Sequence, residues 1–160
     1  QKLKLGTAES CTGGAIARGL PDITGSSAWF QGGLVTYDNA WKTRLLGVPE
    51  KVLATAGAVS AETAEAMLAG LLERHEVQAG IAVTGIAGPT GGTPEKPVGL
   101  VYIATAAAGV SSTERYQLGG DRNTVRERAV SKALVQLWRD LRTAEALRAQ
   151  RLLAEKPGQA

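Results

Sequence analysis

The chain has 160 residues, of which 44% are hydrophobic and 21% charged, and its formal net charge at pH 7 is +3. This length fits one domain with a sizeable core, and the composition is typical of a soluble globular protein. No apolar run reaches the roughly 18 residues of a membrane helix and no signal peptide is present, which argues against a membrane or an exported protein. The few aromatic side chains are not interleaved with basic runs, which argues against nucleic acid as a partner.

Cys11 is the only cysteine. A single thiol excludes an internal disulfide bond and fits the reducing cytoplasm, where we expect the protein to act. The chain opens without a methionine and reaches its first strand almost at once. This start favours the interpretation that the sequence is a piece of a longer chain.

Apolar periodicity and turn residues predict an alternating series of strands and helices. In chain order these are a strand over 2–8, a helix over 13–20, a strand over 27–37, a helix over 40–48, a helix over 57–77, a strand over 78–85, an antiparallel pair of strands over 98–107 and 112–118, and a long helix from Asn123. A period of two places Trp29, Val35 and Tyr37 on one face of the second strand. This order predicts an α/β fold in which helices cover both faces of a mixed sheet.

Polar side chains and charge patterns mark the ends of these elements. Side-chain oxygens of Asp38 or Asn39 can cap the 40–48 helix, and Ser60 can cap the 57–77 helix. One side of the last helix is apolar and is formed by Val130, Ala133, Leu134, Leu137, Trp138 and Leu141. Beyond it the pattern stays helical but is highly charged and ends in a Pro/Gly tail. We therefore predict one domain over 1–141, followed by a charged helical extension and flexible tail over 142–160.

The stretch "TAESCTGG" places Ser10, Cys11 and Thr12 directly before Gly13 and Gly14, where a strand gives way to a helix. The N–H groups of Thr12, Gly13 and Gly14 would then lie at a helix N-terminus, unpaired within the helix and able to hold a phosphate or a developing oxyanion. A glycine-rich connection with Ser or Thr as a helix cap explains the same residues without any chemistry. The turn alone leaves both explanations open.

A second glycine-rich stretch, "VTGIAGPTGG" over 83–92, follows the most apolar strand. Ligands of open α/β sheets bind beyond the carboxyl ends of the strands. We therefore expect the two glycine-rich loops to form two walls of one crevice, an ordinary long loop being the alternative.

A serine nucleophile needs a base, and His75, the only histidine, lies far from both loops along the chain, which argues against a Ser-His-Asp triad. No zinc-like Cys/His spacing and no acidic cluster is present, so we expect no bound metal ion. The remaining activator is a lysine of lowered pKa. Lys42 is the candidate because its apolar neighbours Trp41 and Leu45 favour burial, although a solvated helix lysine is the alternative.

Arg122, in "GGDRNTVRER", starts the last helix. Its guanidinium and the free N–H groups of the helix can together bind a phosphate. A surface pair with Asp121 or Glu127 is the alternative explanation.

Taken together, these motifs resemble one family. The similarity runs in order from residue 5 to residue 141 through "TAESCTGG", "ITGSSAWFQGGLVTYDNAWKTRLLGV", "GAVSAETA", "VTGIAGPTGG", "EKPVGLVYIA" and "GDRNTVRERAV". These stretches look like the successive motifs of the CinA C-terminal domain, also known as the PncC type of nicotinamide mononucleotide amidohydrolase. The resemblance implies a three-layer α/β/α sandwich with a mixed, mostly parallel sheet.

The resemblance also implies an activity: a cytoplasmic serine/lysine hydrolase without a cofactor, which converts nicotinamide mononucleotide into nicotinate mononucleotide and ammonia. It assigns the nucleophile to Ser10 and the base to Lys42, with Tyr37 beside them. Three further positions are implied to hold the substrate, with the last on its phosphate, namely Ser27, Thr84 and Arg122. Family members occur alone or behind an N-terminal domain, so a longer fused chain and a homo-oligomer are both open.

Other functions stay open on the residues alone. A non-catalytic nucleotide-binding module would use both glycine-rich loops and Arg122 equally well. A competence- or damage-related interaction protein would use the basic C-terminal helix, although the sequence has no base-reading motif. Within the enzyme hypothesis, Cys11 is an alternative nucleophile to Ser10, because a thiolate is intrinsically more reactive.

Overall fold

The computed structural model describes residues 3–154, which form a five-stranded sheet with helices on both faces. The strands are β1 (Leu5–Glu9), β2 (Phe30–Val35), β3 (Ala79–Gly85), β4 (Leu100–Ala107) and β5 (Val110–Gln117). Their order across the sheet is β2-β1-β3-β4-β5. β1 pairs in parallel with β2 and β3, whereas β4 runs antiparallel to β3 and β5. All strands except β4 therefore point in one direction, and the predicted mixed, mostly parallel sheet is confirmed.

The helices lie in two layers. They are α1 (Ala15–Gly19), α2 (Asn39–Leu46), α3 (Glu50–Thr55), α4 (Ala61–Arg74) and α5 (Arg122–Ala154). Apolar side chains of α1 and α5 pack on one face of the sheet, and those of α2 and α4 pack on the other. This arrangement confirms the three-layer α/β/α architecture. Within the described residues, no helix is long and apolar enough to cross a membrane.

Side-chain caps fix the starts of α2 and α4 where the sequence predicts them. Asp38 Oδ1 accepts the Ala40 N–H at 2.8 Å, and Ser60 Oγ accepts the Thr63 N–H at 3.1 Å. Each cap satisfies one of the N–H groups that a helix leaves unpaired in its first turn. The predicted caps Asp38 and Ser60 are thus confirmed.

The second strand is shorter than the sequence predicts. Gly25 has a φ of 83°, and Ser26–Ala28 form a 3₁₀ turn whose last bond runs from the Trp29 N–H to the Ser26 carbonyl. β2 begins only at Phe30 and ends before Tyr37. The predicted strand face of Trp29, Val35 and Tyr37 is therefore not formed, because two of its three members lie outside the strand.

The long helix α5 begins within one residue of its predicted start, but its apolar side packs only in part. Ala133 and Leu137 are buried against the sheet, whereas Trp138 is 61% exposed and Leu134 is also exposed. From residue 142 onward the described part of the helix is almost entirely exposed. The predicted Pro/Gly tail lies outside the described residues.

Candidate functional site

A cleft of about 240 Å³ opens at the edge of the sheet where the parallel strands β1, β2 and β3 end. Each of these strands continues into one wall: β1 into Ser10 and Cys11, β2 into Tyr37, and β3 into the loop over 86–91. The other walls come from residues at or near the N-termini of α2, α4 and α5, and are formed by Asn39, Lys42, Ala58, Val59 and Arg122. The two glycine-rich stretches therefore face one crevice, as the sequence predicts.

Ser10 is the first residue after β1, and its backbone is held on both sides. Its N–H donates to the Val83 carbonyl at 3.0 Å, and its carbonyl accepts the Gly13 N–H at 3.0 Å. The side chain is 8% exposed and lines the cleft. Within residues 3–154 the Ser10 hydroxyl makes no hydrogen bond, so it is free to meet a ligand from the cleft.

Lys42 lies on the second turn of α2 and is 1% exposed, although it carries an amine. Its Nζ donates to the carbonyls of Thr36 at 2.9 Å and Tyr37 at 3.1 Å. Burial lowers the pKa of Lys42, while the nearby Asp38 carboxylate opposes this shift. Lys42 is therefore buried, as the sequence predicts, and desolvation of its charged form is what lowers its pKa.

The hydrogen bonds to these two carbonyls also determine the direction in which the Lys42 amine can exchange a proton. A neutral amine has two N–H bonds and one lone pair, and here both N–H bonds have acceptors. The remaining direction carries the lone pair when the group is neutral and the third proton when it is charged. Because Lys42 also lines the cleft, this geometry suits a group that takes a proton there and returns it.

Cys11 lines the same cleft but has the opposite electrostatic setting. Burial raises the pKa of its thiol to about 12, with a smaller contribution from the negative charge of Glu9. The thiol therefore stays protonated at neutral pH, which disfavours the alternative in which Cys11 is the nucleophile.

Arg122 connects the two sides of the cleft. Its Nη1 donates to the Gly88 carbonyl at 2.6 Å, and its Nη2 donates to the Tyr37 hydroxyl at 3.3 Å. Tyr37 is 61% exposed and Arg122 is exposed as well, so a ligand can replace their mutual bond without disturbing the core. Asp121 caps α5 through its bond to the Thr124 N–H, which lowers the pKa of Asp121.

Thr84, at the end of β3, lines the cleft with a buried side chain. Its hydroxyl donates to the Ala58 carbonyl at 2.6 Å and so ties the segment before α4 to the sheet. One side of the Thr84 oxygen remains available as an acceptor.

The structure does not bring the predicted N–H groups of Thr12, Gly13 and Gly14 to the cleft. None of these three residues lines it, and the Gly13 N–H is already bonded to Ser10. The first-turn N–H groups of α1 donate to the Glu9 carboxylate, so the positive end of this helix is occupied from within the protein. Among the described cleft residues, several backbone N–H groups have no acceptor, including those of Ala87, Gly88, Thr90 and Gly91.

Ser27 also lies away from the cleft. It is exposed in the 3₁₀ turn that precedes β2. Parallel strands put their starts and their ends at opposite edges of a sheet, so a residue before β2 faces the edge opposite to Ser10. The expectation that Ser27 joins the substrate site is not met within this chain.

The family model of the CinA C-terminal domain matches residues 1–141. The chain belongs to the CinA C-terminal domain family. The resemblance seen in the sequence motifs is thereby confirmed.

Relatives of this CinA domain are of two lengths. The nicotinamide-nucleotide amidohydrolase PncC of Pseudomonas putida is 51% identical over 128 residues, which cover 80% of each chain. The protein of the same name from Escherichia coli strain K12 is 48% identical over 133 residues, which cover 82% of this chain and 81% of that one. A CinA-like protein of Kosmotoga olearia is 48% identical over 132 residues, but these cover 82% of this chain and only 32% of that protein.

Solved structures of the CinA family share this fold. The competence/damage inducible protein CihA from Agrobacterium tumefaciens superimposes with a TM-score of 0.83 at 48% identity, covering 85% of this chain and 84% of that one. The competence damage-inducible protein A from Klebsiella pneumoniae superimposes with the same TM-score at 37% identity, covering 88% and 87% of the two chains.

Two polar residues of the CinA domain cleft escape the sequence analysis. Asn39 and Thr90 both line the cleft. Asn39 follows the cap Asp38 and Thr90 lies within the second glycine-rich stretch, so each has a local structural explanation in the sequence and neither is marked there as a cleft residue. In the part of the chain that the structure describes, no group of three His, Cys, Asp or Glu side chains is placed to hold a metal ion.

Proposed function

We propose that this chain is a nicotinamide-nucleotide amidohydrolase that converts nicotinamide mononucleotide into nicotinate mononucleotide and ammonia. The observation that carries this proposal is the pairing of a buried lysine of lowered pKa with a serine on the same cleft. The PncC amidohydrolase of Pseudomonas putida, at 51% identity, supports the choice of substrate.

In the proposed mechanism, neutral Lys42 takes the proton of the Ser10 hydroxyl as Oγ attacks the carboxamide carbon. The oxyanion that forms accepts hydrogen bonds from the cleft N–H groups of Ala87 and Gly88, which have no acceptor among the described residues. Protonated Lys42 then gives its proton to the leaving nitrogen, and ammonia departs from the acyl-enzyme. Water, deprotonated by Lys42, attacks the acyl carbon, and the proton passes to Ser10 Oγ as the ester bond breaks and nicotinate mononucleotide leaves.

Tyr37 supports this chemistry from two sides. Its backbone carbonyl accepts one Lys42 N–H and so helps to aim the amine. Its hydroxyl accepts from Arg122 across the mouth of the cleft. We infer that Tyr37 places the base and the phosphate-binding arginine relative to each other.

Arg122 is the proposed phosphate ligand. The guanidinium lies at the N-terminus of α5, where the helix dipole also favours an anion. The N–H groups of Thr90 and Gly91, on the facing loop, have no acceptor among the described residues and can add to the phosphate site. The hydroxyl of Thr84 and the side-chain amide of Asn39 belong to residues that line the same cleft and are candidates for binding the ribose.

A non-catalytic nucleotide-binding module is the second candidate, because CinA-like relatives are about three times as long as the segment they share with this chain. In that case a fused domain would respond to nucleotide bound at this cleft. For either function the phosphorylated nucleotide and the free Cys11 thiol favour the cytoplasm.

Ammonia release from nicotinamide mononucleotide tests the proposal with four proteins: wild type, Ser10→Ala, Lys42→Met and Lys96→Met. Loss of the nucleophile or of the base should lower kcat by about 10²–10⁴-fold, since each removes a proton-transfer partner. Lys96 is the matched control, because its Nζ also donates to a backbone carbonyl, that of Ala56, but does not line the cleft. Lys96→Met should retain the wild-type rate.

Two outcomes contradict this assignment. Folded wild type that binds the nucleotide but releases no ammonia would favour the binding module. Full activity of Lys42→Met would remove Lys42 as the base.

An Arg122→Gln protein extends the same assay: its KM should rise for the mononucleotide and stay unchanged for the riboside, which lacks the phosphate.

A further inference from the structure

Glu9, the last residue of β1, is a buried carboxylate that the proposed mechanism does not use. Its side chain is completely buried and does not line the cleft. Oε1 accepts the Ala17 N–H at 2.7 Å and the Thr7 hydroxyl at 3.2 Å, and Oε2 accepts the Ile16 N–H at 3.1 Å. No cation pairs with it among residues 3–154. A buried carboxylate is tolerated only when it is well hydrogen-bonded, and here three donors hold it.

These bonds close the turn that carries Ser10. Glu9 directly precedes Ser10, and its carboxylate binds two N–H groups of α1, which begins after Gly14. The side chain of Glu9 therefore connects the two ends of the turn. Within the turn, the Ser10 carbonyl accepts the Gly13 N–H. Ser10 is thus held by a side-chain bridge outside the turn and a backbone bond inside it.

The backbone of Glu9 leads to the base. Its carbonyl accepts the Thr36 N–H at 2.8 Å, and the Thr36 carbonyl accepts Lys42 Nζ at 2.9 Å. A single residue, Thr36, therefore links the backbone of Glu9, the residue before Ser10, to the amine of Lys42.

We propose that Glu9 is a positioning residue, which fixes Ser10 relative to Lys42 through the turn on one side and Thr36 on the other. It is not a catalytic residue, because its side chain cannot reach the cleft. This inference rests on the proposed function, in which Ser10 and Lys42 react together.

The chemistry of the bridge requires a carboxylate. Both oxygens of Glu9 act only as acceptors, and two backbone N–H groups bind different oxygens. In Glu9→Gln, one of these oxygens becomes an NH₂ group that faces an N–H donor. The helix N-terminus must then move away from residue 9, and the turn with Ser10 moves with it.

Steady-state kinetics of Glu9→Gln and Glu9→Asp test this inference, with Asp140→Asn as the matched control. Asp140 is also a buried carboxylate, which accepts the hydroxyls of Thr105 and Ser112 away from the cleft. Misplacement of the nucleophile should lower kcat for Glu9→Gln by about 10²-fold, while KM stays near wild type because the phosphate site is intact. Asp140→Asn should lose stability without this loss of kcat.

The outcomes separate this inference from the proposed substrate. A fluorophosphonate, which phosphonylates an activated serine with loss of fluoride, reports on Ser10 without nicotinamide mononucleotide. Reaction at Ser10 in wild type but not in Glu9→Gln supports positioning even if neither protein releases ammonia. Unchanged kcat and unchanged labelling in Glu9→Gln would overturn it, as would an equal loss in Asp140→Asn. If Glu9→Gln does not fold, Glu9→Asp decides, because its shorter side chain should also lower kcat and labelling.

Discussion

Lys42 combines two properties that rarely occur together, a long cationic side chain and almost complete burial. Two backbone carbonyls accept from its amine, so the group is hydrogen-bonded, but no carboxylate in residues 3–154 forms an ion pair with it. Desolvation therefore dominates and lowers the pKa. Burial of this charge costs stability, and it also makes the Lys42 amine give up its proton more readily than an exposed lysine does.

This cost predicts how stability depends on pH. Below the folded pKa of Lys42 both the folded and the unfolded chain hold the proton, and the full cost is present. Between the folded pKa and the ordinary value of about 10.4, only the unfolded chain holds it, so the free energy of unfolding rises with pH. Lys42→Met lacks this titration, and wild type should therefore gain stability relative to Lys42→Met as the pH is raised from 7 to 10.

Urea denaturation of both proteins across this pH range measures the difference. Ionisation of other side chains cancels in the comparison, because both proteins carry the same cysteine and tyrosines. If the difference in the free energy of unfolding between wild type and Lys42→Met does not change with pH, the Lys42 amine titrates in the same way in the folded and the unfolded chain. The rate of ammonia release should rise over the same limb, since only the neutral amine accepts a proton.

The residues of the cleft show what sequence alone can provide. Ser10, Lys42, Tyr37, Thr84 and Arg122 meet at one cleft, because motif order and the shared edge of parallel strands place them there. The hydrogen bonds they make are not encoded in such patterns. That the first turn of α1 is filled by Glu9 depends on side-chain packing, and this is why the predicted oxyanion role of Gly13 does not appear.

At the scale of elements, the position of α2 decides the position of the base. The C-terminal residue of α2, Leu46, lies against Gly70 of α4 so closely that a Cβ on Gly70 would meet the Leu46 carbonyl oxygen at 1.6 Å. Helix periodicity predicts both helices, but a close approach between backbones cannot be read from one sequence. The same limit applies to β2, whose predicted start is lost to a local 3₁₀ turn.

Gly70→Ala should separate α2 from α4. The clash is with backbone atoms, so relief requires the helix to shift, and we expect a loss of about 1–3 kcal/mol or more in the free energy of unfolding. A shift of α2 also moves Lys42, so ammonia release should fall. Urea denaturation and the activity assay measure the two effects.

Gly19→Ala is the matched control for this change. Gly19 has a φ of −79°, and nothing lies within 4 Å of an added Cβ. This substitution should stabilise the fold by about 0.4–1 kcal/mol through the unfolded chain and leave activity unchanged. Equal effects of the two substitutions would show that α2 and α4 are not in close contact.

At the scale of the molecule, α5 has 33 residues, a length of about 50 Å, and only its first part packs on the sheet. A buried polar network marks the end of this part. Asp140 accepts from Thr105 and Ser112, and Gln136 Nε2 donates to the carbonyls of Ile103 and Ser112. These bonds attach α5 to β4 and β5 just before Leu141, where the sequence analysis places the domain boundary.

Deletion of residues 142–160 tests that boundary. The described part of this segment is almost wholly exposed, so its loss should change the free energy of unfolding by no more than about 0.5 kcal/mol and leave ammonia release at the wild-type rate. A chain ending at Lys132 provides the contrast, because it also loses the buried Leu137 and Asp140 and should not fold. Thermal unfolding and the activity assay measure both deletions. A large loss of stability or activity on deleting only 142–160 would place the extension within the domain.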